Sequence, residues 1–262
     1  MSNIKKKFEE KWLIKIVEIT DKTLLPNINS ILEESFADVM SKSDFHFTNY
    51  SDFTESLECI MDNGGKIFVA KYMGKVVGTI AMEISEIDKW YHTGRIVKLC
   101  HLGVLPKYQN HGMGKILVNK IRQEAEALDL PITFCTPEKN VGTIKFYERM
   151  GAAKVRFFKA NDHYTVRFMF FNDDKFTAEY CQKEYEKSAY ACLMKNWKVC
   201  SEIADATIRE TWLKDFLPII REQDDETVMA MRRQYRKHGT MPKEYLKKRK
   251  EKEKHQAEKP TE

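Results

Sequence analysis

The stretch Gln109-Asn110-His111-Gly112-Met113-Gly114, "QNHGMG", joins two segments of opposite character. Before it stands "GRIVKLCHLGV" at 94–104, a short apolar run of the kind that makes a strand. After it Leu117, Ile121, Ala125 and Leu128 recur at steps of four, four and three. That spacing predicts one face of a helix over about 113–129, stopped before Pro131. Two glycines one residue apart at the mouth of a helix predict a backbone that something approaches closely. The first amides of a helix have no partner within it, and the macrodipole adds partial positive charge, so a phosphate suits that place. Two phosphate-loop signatures fail at defining positions. G-x-G-x-x-G finds Leu117 where its third glycine belongs, and G-x-x-x-x-G-K-[ST] finds Gln109 for its first glycine and Ile116 after Lys115. An ordinary strand-to-helix turn therefore stays open on the hexapeptide alone.

The remaining pattern is that of a mixed chain. "WLIKIVEI" at 12–19 reads as a first strand, and Ile28, Ile31, Leu32, Phe36 and Val39 mark a helix in "LPNINSILEESFADVM". A second helix is expected over 51–62, ended by Asn63-Gly64-Gly65. "KIFVAKY" and "KVVGTIAMEI", parted by Met73-Gly74, predict a hairpin. "ITFCT" at 132–136 is a short strand, "NVGTIKFYERMG" at 140–151 a short helix, and "AKVRFFKA" and "YTVRFMFF" two last strands. Residues 174–230 are rich in Glu, Lys, Ala and Tyr and read as helices. Residues 243–259 have almost no apolar content and read as frayed helix or disorder. No internal repeat is present.

Strand, Q-x-x-G-x-G, amphipathic helix, short strand, then Asn140 seven residues before Tyr147 on a helix ending in Met150-Gly151-Ala152: this order resembles the GNAT superfamily of acyl-CoA-dependent N-acetyltransferases. The matching stretches are "LGVLPKYQNHGMGKIL" and "NVGTIKFYERMGAAKV", and the likeness spans roughly 10–171. It implies an α+β (mixed α/β) fold with a mostly antiparallel, twisted central sheet of six to seven strands flanked by helices. A C-terminal helical extension would follow. The implied division is a GNAT domain over 1–172, a helical extension over 173–230 and a basic, flexible tail over 231–262.

The resemblance implies acetyl-CoA as co-substrate and no metal. Its diphosphate would lie on the backbone of Gln109, Asn110, His111, Gly112, Met113 and Gly114, with Lys115 adding charge or merely solvated. The fourth and fifth strands would splay, and Leu102, Gly103 and Val104 would pair with the pantetheine arm. Asn140 would bond the coenzyme, cap a helix, or both. Tyr147 would protonate the leaving sulfur, or belong to the core among Ile144, Phe146 and Met150. The general base is the weakest assignment. The strand positions counted back from Gln109 fall on Lys98 and Cys100, neither an obvious base. His101 should face away if alternation holds, unless a bulge reverses it, and Glu83 is the second candidate.

The acceptor is expected to be a primary amine, of a small molecule or a protein, taken between 41–53 and 159–165. Phe45, His46, Phe47, Tyr50 and Phe53 would line an apolar pocket there or pack a helical lid. Neither loop has the acidic cluster that would select a polycation. A catalytically weak acyl-CoA-binding scaffold, working through its C-terminal helices, is the alternative from another class.

Charge and cysteines bound the setting. Formal net charge is +5. Residues 231–262 hold twelve Lys/Arg and five Asp/Glu, +7, which leaves 5 minus 7, or −2, for the rest. "KKRKEKEKH" mixes signs and has no interleaved aromatics, so nucleic-acid binding is not expected from it. Six cysteines without CxxC spacing, most of them inside apolar patterns, predict reduced, buried thiols and a cytoplasmic setting, with a nuclear address in the basic tail as the alternative. Neither an apolar leader nor an 18-residue apolar run is seen, so no secretory signal and no membrane span are expected. Asn49-Tyr50-Ser51 is then an accidental sequon. Tyr190, Leu193, Trp197, Cys200 and Ile203 approximate helical spacing, so 173–230 should pack on the domain, on a partner protein, or on a second copy.

Overall fold

The computed structural model describes residues 14–40, 52–160, 163–171, 176–247 and 250–251. Seven strands are seen: β1 Ile14–Ile19, β2 Lys66–Tyr72, β3 Lys75–Lys89, β4 His92–Val104, β5 Ile132–Pro137, β6 Ala153–Ala160 and β7 His163–Phe170. The helices are α1 Leu25–Met40, α2 Phe53–Asp62, α3 Met113–Ala127, α4 Val141–Arg149, α5 Ala178–Leu193, α6 Ala206–Thr211, α7 Leu217–Ile220 and α8 Asp225–His238. The strands form one mixed, mostly antiparallel sheet in the order β1-β2-β3-β4-β5-β7-β6. The fold class is the expected one. The chain groups into two compact units, residues 1–134 with 169–175, and residues 135–168 with 176–262.

In the first unit the sheet separates two apolar layers because side chains alternate along each strand. Ile67, Val69 and Ala81 face α1 and α2, where Leu25, Ile28, Leu32, Leu57 and Ile60 are buried. Phe68 and its neighbours face α3 instead: the Lys120 ammonium lies 5.0 Å from the Phe68 ring centre, and Lys66 donates to Glu124 at 2.6 Å. α3 buries Met113, Leu117, Val118, Ile121 and Ala125; of the predicted stripe Leu117, Ile121 and Ala125 are buried, whereas Leu128 lies past the helix end and is 44% exposed. The β3–β4 hairpin runs to Lys89 and His92, beyond the 84 and 94 read from sequence. Polar residues such as Ser85 and Glu86 alternate with apolar ones there and still pair across to Ile96 and Arg95.

β3 and β4 fall out of step once. Thr79 opposes Gly103 and Ala81 opposes Cys100, so His101 and Leu102 together face Ile80. This is a β-bulge, and its first residue, His101, has a left-handed φ of 49°. β4 then pairs with β5 in parallel only at Val97↔Ile132 and Lys98↔Thr133.

In the second unit α5 lies on β6. The Phe157 amide donates to Ser188 Oγ at 2.8 Å, and the Phe157 ring meets Tyr185, which is fully buried. The expected helical run through Tyr190–Ile203 is broken: α5 ends at Leu193, and Lys195 and Asn196 donate back to Cys192 and Leu193 to close the turn. Tyr190, Leu193, Cys200 and Ile203 are nonetheless all buried. Rings of Tyr190, Trp212, Phe216 and Tyr235 form a second aromatic core. Residue 231, expected to open a flexible tail, falls inside α8, where Met231 and Tyr235 are buried.

Candidate active site

The coenzyme-loop residues come first. Strand β4 ends at Val104, a single 3₁₀ turn covers Pro106–Tyr108, and the chain reaches Gln109. Gln109 Nε2 donates to the Val104 carbonyl at 2.9 Å, which ties the loop back to the strand. His111 Nδ1 lies 2.6 Å from the Gln109 carbonyl. Asn110 and Gly112 both take left-handed φ, 62° and 84°. Asn tolerates that region, and Gly holds it without a Cβ penalty. A methyl added at Gly112 would meet no protein atom within 4 Å, so conformation and not protein packing explains this glycine. Lys115 is exposed in the first turn of α3.

Gly112 is the N-cap of α3, and no side chain caps that helix. Five other helix starts are closed by side-chain oxygens: Asp52 on Glu55 N, Asn140 on Thr143 N, Thr177 on Tyr180 N, Asp205 on Ile208 N, and Asp224 on Thr227 N. The amides of Met113, Gly114 and Lys115 at α3 thus remain as unclaimed donors, with the helix dipole behind them.

Beside the loop, β4 past Lys98 has no pairing with β5. The backbone of Leu102, Gly103 and Val104 therefore presents a ladder edge on that side. Gly103 itself is required by packing: a Cβ there would stand 2.8 Å from Leu32 Cδ2 and 3.2 Å from Ser35 Oγ of α1. Gly103→Ala should cost about 1–2 kcal/mol, because Leu32 is fully buried and must repack. A urea unfolding midpoint unchanged from wild type would contradict this.

The bulge decides where the base candidates lie. It turns His101 onto the face that Cys100 and Gly103 share, toward α2, reversing the alternation expected for it. His101 Nε2 is 2.8 Å from Ser56 Oγ, and its ring meets Phe53 edge-on at 5.6 Å. Burial pushes the His101 pKa down to about 4, opposed in part by the charge of Glu83. The imidazole is therefore neutral near pH 7, but it is a weak proton acceptor. Glu83 pairs directly across to Lys98, whose ammonium donates to its carboxylate at 2.9 Å. One face of β3–β4 thus gathers Glu83, Lys98, Cys100 and His101. Of the acceptor segments, Phe53 is buried and packs on Phe36, while residues 41–51, with Phe45, His46, Phe47, Tyr50 and the sequon, lie outside the described residues, as do 161–162.

In the second unit Asn140 caps α4, its Oδ1 accepting from Thr143 N at 3.4 Å. Tyr147, 4% exposed, packs on the rings of Phe146 and Phe168 at 5.1 and 5.7 Å. Sequence reading missed Glu138, two residues before Asn140 and 1% exposed. Its carboxylate accepts the Asp205 amide at 2.6 Å, and burial raises its pKa. Asp205 also receives Tyr185 Oη at 3.3 Å and Lys154 at 3.4 Å. A lone Glu after a strand proline carries no sequence signal for such a clasp. Cys135 is exposed, contrary to the expectation of buried thiols, while Cys181 and Cys200 are buried. Among the described residues no group of three His, Cys, Asp or Glu side chains could hold a metal, and no helix is long and apolar enough to cross a membrane.

The uncapped α3 thus follows a bulged strand that is unpaired with β5 beyond Lys98. The sequence model of the Acetyltransferase (GNAT) family matches residues 26–152, and the chain carries a domain of that family of acyltransferases. No curated protein matches the chain. Similar solved structures include yncA of Salmonella typhimurium with its cofactor acetyl-CoA, 15% identical, TM-score 0.49, covering 64% of this chain and 99% of that one. Arabidopsis thaliana NAA60 in complex with acetyl-CoA is 17% identical, TM-score 0.47, covering 61% and 98%. The ribosomal-protein-S18-alanine N-acetyltransferase of Escherichia coli is 15% identical, TM-score 0.46, covering 63% and 99%.

Proposed function

We propose that the chain transfers acetyl from acetyl-CoA to a primary amine by direct attack. The observation that carries this reading is the open N-terminus of α3, which follows a glycine loop and has no side-chain cap. Backbone amides of Met113, Gly114 and Lys115 would hold the coenzyme's diphosphate, and Lys115 adds a cation in the same turn. Gln109 acts indirectly: its bond to Val104 sets the loop's geometry. The exposed edge of Leu102–Val104 supplies main-chain groups for the pantetheine arm, and an amide there would donate to the thioester oxygen. Acetyl-CoA supplies an acyl group activated as a thioester. The remaining work of the protein is to position the amine, accept its proton and return one to sulfur.

Tyr147 is the proposed acid, and its phenol is retained from the resemblance together with Asn140. Tyr147→Phe should lower kcat about 10–100-fold with coenzyme affinity kept. Turnover equal to wild type would assign Tyr147 to the core alone. For the base, Glu83 and His101 both stay as candidates: they share one face of β3–β4, Glu83 paired with Lys98 and His101 held at about 4 by burial. The acceptor, small molecule or protein, is tested by an amine panel with free thiol followed.

A second reading has its own support: both base candidates are engaged, His101 with Ser56 and Glu83 with Lys98. An acyl-CoA-binding scaffold would bind coenzyme and release no thiol with any amine.

A further inference from the structure

One face of the β6–β7 hairpin holds two cations that no described residue neutralises. Arg156 on β6 and Arg167 on β7 both lie against Phe158, each guanidinium carbon 5.5 Å from its ring centre. The two positive groups therefore flank one ring. Among the described residues neither forms an ion pair or a hydrogen bond. Like charges held together on neighbouring strands are unfavourable unless an anion joins them.

Two buried donors stand at the same place without partners. Arg167 Nε is shut off from solvent and bonds nothing, and the same holds for Thr165 Oγ1. Thr165 precedes Arg167 by two on β7, so both project from one face of the strand. Thr165 is 5% exposed. A buried N–H or O–H left unmade is expensive, and native proteins satisfy nearly all of them. Two guanidiniums against one ring, with an Nε–H and a hydroxyl on one face of β7 that have no acceptor among the described residues, are a donor set that a carboxylate or phosphate completes. Phe158 gives both guanidiniums a flat surface that keeps them pre-oriented.

We infer that Arg156, Thr165 and Arg167 form an oxyanion site on the β6–β7 hairpin, and that its occupant is the carboxylate or phosphate of the acetyl acceptor. The link to the acceptor rests on the function proposed above.

The first test uses no catalysis. The full chain, with saturating coenzyme A present to occupy the α3 amides, is titrated with inorganic phosphate and with acetate at constant ionic strength, chloride as control, and its melting temperature followed. Saturable stabilisation by either oxyanion but not chloride is expected in wild type. Arg167→Leu should abolish it while leaving the ligand-free melting temperature equal or higher, because the variant removes an unpaired charge and an orphan donor. Thr165→Val should weaken it with the fold intact. No response beyond chloride in wild type, or a response that survives Arg167→Leu, overturns the site. The second test follows thiol release from acetyl-CoA with amines that differ only in bearing a carboxylate, a phosphate or a neutral amide. The anionic acceptor should be preferred about tenfold or more in kcat/KM, and Arg167→Leu should bring that ratio near one. A ratio near one in wild type overturns the acceptor link. Oxyanion binding with no thiol release from any amine overturns the acetyl-transfer reading and leaves the anion site standing.

Discussion

Gly112→Glu abolishes coenzyme A binding: affinity measured by calorimetry falls at least about 100-fold, with the fold retained. Three effects act in the same direction. Glutamate must hold φ 84°, a region that side chains disfavour by about 1–2 kcal/mol. Its carboxylate would be set at the start of α3, where it can itself accept the amides otherwise left for the diphosphate. Its charge also repels that diphosphate. The substitution meets no protein atom at its Cβ, so crowding does not confound the result. Gly112→Ala serves as the graded control, since it carries the conformational penalty without charge and should lose far less affinity. Wild-type affinity in Gly112→Glu would place the coenzyme elsewhere.

The second large effect is a stability that depends on pH through one imidazole. His101 is neutral in the folded protein down to about pH 4, whereas the unfolded chain has the ordinary value of 6.5. A depressed folded value means that the unfolded state binds the extra proton between those limits. Stability is therefore fully present above about pH 6.5 and falls as pH drops toward 4, by about 3 kcal/mol in all from this group. His101→Gln, which keeps a polar atom for Ser56, should remove that limb from a plot of unfolding free energy against pH. An unchanged acid limb in the variant would mean that His101 is not the group responsible. The same displacement predicts that kcat/KM shows no histidine ionisation near pH 6.5 that His101→Gln removes.

Much of the first unit is legible in the sequence because its signals are local. Alternation sets β2 and β3, a four-four-three spacing sets α3, and "QNHGMG" demands left-handed backbone at a helix start. What escapes is whatever depends on one residue too many or on a distant partner. The bulge at His101–Leu102 leaves no trace in composition, yet it moves His101 from the face that alternation assigns to the face of Ser56 and Phe53. Gly103 fits a bulge or a close approach, and the structure puts a bulge just before it and α1 against it. In the second unit the apolar residues from Tyr190 to Ile203 were legible as buried, but not the turn after Leu193 that delivers them. Glu138, Asp205 and Lys154 are far apart in sequence and meet only in the fold. The orphan donors of Thr165 and Arg167 likewise look, in sequence, like ordinary strand residues.

The central claim is that bare amides at the start of α3 grip a diphosphate. Amide chemical shifts of the full chain, followed during titration with coenzyme A, test it at the atoms concerned. The account predicts that Met113, Gly114 and Lys115 shift most and titrate together. Coenzyme A that binds while those three amides stay in place would contradict it.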